Sequence, residues 1–159
     1  MPELDVSVLI DAPIDRCFDL TRSIEFHEAS STMIGGRAVD GRTSGLAELH
    51  DETVWSARFF GLRFRLRTRV VALDPPLRMD EDMVQGLLRR FGHRYELTPL
   101  PGQCTRLRDR FRFELPFGRA GRVVERVHLE RYLGAVQQTR LEAIRRACVS
   151  EEWRAFLTA

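Results

Sequence analysis

The sequence contains no lysine: all 25 of its basic residues are arginine. A GC-rich coding sequence produces that bias as readily as a need for bidentate recognition does, so it is not in itself a phosphate signal. A net charge of +2 is too small to imply a nucleic-acid partner. Cysteine is scarce. Cys17, Cys104 and Cys148 are odd in number and far apart, with neither a CxxC pair nor clustered histidines, which disfavours a disulfide framework or a zinc site. They read as reduced packing thiols of a cytoplasmic protein, a metal or redox role being the secondary reading. No apolar run approaches the roughly 18 residues of a membrane span. The start, "MPELDVSVLIDAP", is acidic and too short in its apolar part for a secretory signal. Catalytic fingerprints are missing as well. "MIGGRAVDG" lacks the spacing of a phosphate or dinucleotide loop, and neither GxSxG nor HExxH occurs, so no cofactor and no metal is expected.

What is present suits one globular domain spanning residues 1–159, with 43% hydrophobic and 30% charged residues. Residues 3–11 alternate as a first strand. "APIDRCFDL" then places Pro13 at a helix start with Asp15 in its first turn, and a short second helix is expected near "SIEFHEAS". Extended segments are expected at 32–39, 46–50, 53–60, 62–73, 78–85, 90–98 and 104–115, punctuated by Gly, Pro and Asp. From Arg119 to Cys148 there is no proline and only two glycines, Gly121 and Gly134, and Leu129, Leu133, Val136, Ile144 and Ala147 recur at helical spacing. The fold class is therefore α+β. A curved antiparallel sheet of about six to seven strands must cover its apolar face with the long terminal helix, leaving a cup between them.

In "FGLRFRLRTRV", Arg63, Arg65, Arg67 and Arg69 fall at every second position. With the alternating Arg106, Arg108, Arg110 and Arg112, and with Asp80, Asp82 and Glu96, they read as a solvated outer face of mixed charge.

The opposite phase faces the cup. It comprises Trp55, Ala57 and Phe59; Leu62, Phe64, Leu66, Thr68 and Val70; Met79, Glu81, Met83 and Gln85; Phe91, His93, Tyr95 and Leu97; and Leu107, Asp109, Phe111, Phe113 and Leu115. The helix adds Leu133, Val136 and Arg140. Glu81, His93 and Asp109 are polar exceptions in phase with apolar neighbours. They form either a cluster that orients a ligand or moves protons, or a satisfied structural network. His93 is the foremost candidate. Arg140 must either pair with Glu81 or Asp109 across the cup or reach water along its stem. Cys17 is expected on a buried helix face, and His27, Ser30 and Ser31 near the cavity mouth.

The order of elements resembles the helix-grip superfamily, which includes START lipid-transfer domains, the birch-pollen allergen and bacterial polyketide cyclases/dehydrases. The similarity runs through "VLIDAPIDRCFDLTRSIEFH", "VDGRTSGL", "TVWSARFFGL", "MVQGLLRRFGHRYEL" and "DRFRFELPFGRAG", and looks closest to small bacterial single-domain members. It implies a small apolar or amphipathic ligand held between sheet and last helix. Three functions follow from it, in order of support. They are ligand binding with transport as its extension, a polyketide aromatase/cyclase-type reaction, and a ribosome- or quinone-pathway role using the outer arginines. Oligomeric state is open.

Overall fold

The computed structural model describes residues 3–59, 61–115 and 122–157. The expected strand end at Phe60 and helix start at Arg119 lie outside the described residues. Seven strands form one antiparallel sheet: β1 (Glu3–Ile10), β2 (Arg37–Gly41), β3 (Glu52–Phe59), β4 (Leu62–Asp74), β5 (Arg78–Gln85), β6 (Arg90–Leu100) and β7 (Cys104–Glu114). Their order is β1-β7-β6-β5-β4-β3-β2, so the first strand pairs with the last and every other neighbour is a sequential pair.

Two short helices follow β1, namely α1 (Ile14–Arg22) and α2 (Ile24–Ser30). Pro13 occupies the α1 N-cap in extended backbone and Asp15 lies in the first turn, as the sequence signals require. Ser23 ends α1 and caps α2, its hydroxyl accepting from the Phe26 N–H at 3.2 Å. The long helix α3 (Arg122–Val149) packs against β1, α1 and α2. A final turn, α4 (Arg154–Leu157), was not anticipated; the Trp153 ring beside it lies 4.2 Å from the Arg16 guanidinium.

Two expected strands differ. Residues 32–35 form turns, so β2 begins only at Arg37. Residues 46–50 form no strand at all and contribute one bridge, between Ser23 and Leu46. That segment follows Gly45, at φ 79, and ends in His50, at φ 71, and such left-handed residues interrupt a pleat. Gly41 is required at the end of β2. Its φ is 74, and a β-carbon there would collide with the Glu52 carbonyl.

The apolar interior falls into two clusters. The larger joins α1, α2 and the C-terminal half of α3 to the sheet, with Phe18, Leu20, Leu107, Leu141, Ile144, Ala147 and Cys148 all buried. The smaller is aromatic and sits under the other half of α3, around Phe111, Phe113 and Leu133. Cys17 is buried in the first cluster, as expected of a packing thiol.

The outer face holds the arginines. Arg67 and Arg69 both bond Glu52, Arg108 bonds Asp5, Arg110 bonds Glu96, and Arg78 and Arg94 converge on Asp80. Alternation along β4 thus predicts its phase correctly. Among the described residues, no helix is long and apolar enough to cross a membrane.

Candidate functional site

A cavity of about 70 Å³ lies between the concave face of the sheet and α3. Trp55, Ala57 and Phe59 of β3, Phe64, Leu66 and Thr68 of β4, Glu81 of β5, and Phe91, His93 and Tyr95 of β6 supply the sheet side. Leu133, Val136, Gln137 and Arg140 supply the helix side, and His27, Ser31, Ile34 and Gly36 close one end. The sheet residues belong to it because they occupy one phase of four adjacent strands.

A layer of polar groups crosses this otherwise apolar lining. His93 and Tyr95, two apart on β6, stack with centroids 5.3 Å apart and planes 5° from parallel. Asp109 is opposite Tyr95 in the β6–β7 register, so the His93 ring reaches it diagonally. Its Nδ1 lies 3.0 and 3.1 Å from the two Asp109 carboxylate oxygens. In the tautomer that donates Nδ1–H to the carboxylate, Nε2 is left to accept a proton. Arg140 Nη1 donates to the Tyr95 hydroxyl at 2.8 Å, and Nη2 donates to the Thr21 carbonyl at 3.0 Å. Burial pushes the Tyr95 phenol well above its usual pKa, against the pull of Arg140, so the hydroxyl keeps its proton. His27 stacks on Trp55 at 4.2 Å. Burial first, then the charges of Arg140 and His93, hold the His27 imidazole well below its usual pKa.

Eleven of the fifteen expected cavity residues line this space: Trp55, Phe59, Phe64, Leu66, Glu81, Phe91, His93, Tyr95, Leu133, Val136 and Arg140. Asp109, Phe111 and Phe113 do not. They have the predicted phase but are sealed by packing, Asp109 beneath His93 and the two phenylalanines beneath Leu133. Met83 also departs, lining a separate hollow with Asp82, Arg89 and Arg90. Gln85 likewise joins Arg65 and Arg67 around another hollow, and Leu62, at the β3–β4 hairpin, is 63% exposed. Register shifts between β4 and β5, at Arg67/Thr68 and at Val70/Ala72, break the alternation there.

The expected ion pair across the cup is absent. Arg140 is only 3% exposed, so it does not reach water either; its partners are the Tyr95 hydroxyl and the Thr21 carbonyl. Glu81 instead accepts from the Thr68 hydroxyl, which itself accepts from Trp55 Nε1 at 3.2 Å. His27 and Ser31 line the cavity, whereas Ser30 turns its hydroxyl to the His27 carbonyl at 3.2 Å. Gln137 was missed. It lies one turn before Arg140, and reading that face as apolar passed over it. Among the described residues no three His, Cys, Asp or Glu side chains gather as a metal site requires.

Solved structures share this architecture at low identity. TTHA0849 from Thermus thermophilus superposes with a TM-score of 0.76 at 18% identity, over 97% of this chain and 98% of that one. The Zhui aromatase/cyclase from a Streptomyces species gives 0.75 at 12%, over 99% and 98%. A START superfamily protein from Mycobacterium smegmatis gives 0.68 at 13%, over 92% and 96%. No curated protein matches the sequence. These likenesses establish the helix-grip fold. The family profile described as "Polyketide cyclase / dehydrase and lipid transport" matches residues 1–149, and with a seven-stranded sheet gripping a terminal helix around a lined cavity, the chain belongs to that family.

Proposed function

We propose that the protein binds a small hydrophobic or amphipathic molecule in the cavity between the sheet and α3. The observation that carries this reading is the lining itself. Aromatic and aliphatic side chains from four strands and the helix enclose a space into which a few polar groups, Tyr95, His93, Gln137 and Arg140, converge. At about 70 Å³ the space holds roughly five water molecules, so a larger ligand must displace lining side chains. Native mass spectrometry of the purified protein tests the reading directly, together with Trp55 fluorescence, because that ring forms part of the wall. A bound small molecule whose removal changes the emission supports it. Protein that carries nothing, and whose emission no hydrophobic probe alters, refutes it.

The His93–Asp109 contact favours an aromatase/cyclase-type reaction as a second reading. An oriented imidazole can take a proton from an activated carbon while the Tyr95 hydroxyl, backed by Arg140, hydrogen-bonds the developing oxyanion. Turnover of a poly-keto substrate that His93→Phe abolishes, without loss of binding, would select it over binding alone. A ribosomal or quinone-pathway role would have to use the outer arginines, of which Arg67, Arg69, Arg108 and Arg110 already have carboxylate partners. Salt-dependent RNA binding would speak for it.

A further inference from the structure

Arg140 poses a physical problem that the protein leaves open. It is a cation that cannot lose its proton, and it is 3% exposed. No carboxylate of the described residues pairs with it. Of its five N–H bonds, two donate to neutral oxygens, Tyr95 Oη at 2.8 Å and Thr21 O at 3.0 Å. Its Nε is buried without a partner. One turn earlier on the same face, the Gln137 side-chain oxygen is also buried without a partner. Both residues line the cavity. A charge held inside a protein without a counterion is strongly unfavourable, and two unsatisfied polar atoms on one face of the helix add to the cost.

From this juxtaposition we infer that the ligand is an amphipathic acid, an apolar body bearing a single carboxylate, whose head group supplies the missing counterion of Arg140. The inference rests on the cavity being a binding site. Half a turn of the Gln137 amide presents its NH₂ in place of the unpartnered oxygen, so Gln137 and Arg140 together can donate to a carboxylate. Glu81 is the one carboxylate among the lining residues, and it is engaged by Thr68 on the sheet side. Its charge repels a second anion there and confines the head group to the α3 side. The aromatic rings of Phe59, Phe64 and Phe91 then receive the apolar body.

Two matched series test this on the intact chain by titration calorimetry: phenylacetate, phenylethanol and phenylethylamine, and octanoate, octanol and octylamine. In each series the acid should bind at least about tenfold more tightly than the alcohol, the effect of one charge-assisted hydrogen bond, and the amine should bind weakest. Arg140→Met should abolish the acid's advantage over the alcohol. Gln137→Leu should weaken the acid but keep its advantage, and the wild-type series decides even if a variant fails to fold. An alcohol or amine that binds as well as the acid overturns the inference while leaving cavity binding intact. An acid preference that survives Arg140→Met overturns the assignment to Arg140. If none of the six compounds binds, the acid inference falls, and cavity binding falls with it only where native mass spectrometry and hydrophobic probes also find no ligand.

Discussion

His93 rests on Asp109, with its Nδ1 3.0 and 3.1 Å from the two oxygens of a carboxylate that has no exposed surface. A buried carboxylate with one hydrogen-bonding side chain depends on that partner. His93→Phe should therefore destabilise the protein by about 3–5 kcal/mol in denaturant unfolding. Adding Asp109→Leu should recover most of that loss. Additive single effects would show that the two residues are not coupled.

Arg140→Met carries the opposite sign. Removing a buried cation that lacks a counterion should raise the stability of ligand-free protein by about 1–3 kcal/mol, as measured by chemical denaturation. A loss of similar size would mean that the charges of Glu81 or Asp109 draw on Arg140 through space.

The pH dependence of stability should carry a His27 component. Its pKa in the folded protein is depressed well below the unfolded value of 6.5, so between the two the unfolded chain binds the extra proton. That contribution is fully present above pH 6.5 and is lost as pH falls toward the folded value. On going from pH 7.5 to 5.5, wild type should lose more stability than His27→Phe, which keeps an aromatic ring against Trp55. Equal losses in the two proteins would refute the assignment.

Replacing Arg65 and Arg67 together by glutamine should cost about 1 kcal/mol or less, because both lie on the outer face and the Arg67–Glu52 pair is partly solvated. Ligand binding should not change. A loss of several kcal/mol in thermal or chemical unfolding would count against an outward phase for β4.

The sequence revealed the parts of the fold governed by simple periods. Arg63 to Arg69 against Phe64 to Val70 sets the phase of β4, and counting by threes and fours along α3 puts Leu133, Val136 and Arg140 on the buried face. It failed where depth mattered rather than direction. Asp109, Phe111 and Phe113 point inward, but whether an inward residue meets a cavity or a neighbour depends on what packs above it, and strand alternation carries no such information. Arg140 shows the same limit. Its burial was legible, but its partner was not, since a backbone carbonyl such as that of Thr21 leaves no mark in a list of charged residues. Gln85 was lost to a bulge, an irregularity of pairing between strands that neither strand's own pattern records.

The polar layer at Gln137 and Arg140 also divides α3 mechanically. Beyond it, Leu141, Ile144, Ala147 and Cys148 are locked into the larger cluster, whereas Leu129 and Leu133 rest only on the small aromatic one. Opening free energy follows apolar contact, so the helix should behave as two cooperative units rather than one. Amide hydrogens near Ile144 should exchange only with global unfolding, while those near Leu133 should exchange through a cheaper local opening. A ligand bound as proposed should then enter at the aromatic end, where the helix can lift from Phe111 and Phe113 while the larger cluster stays closed.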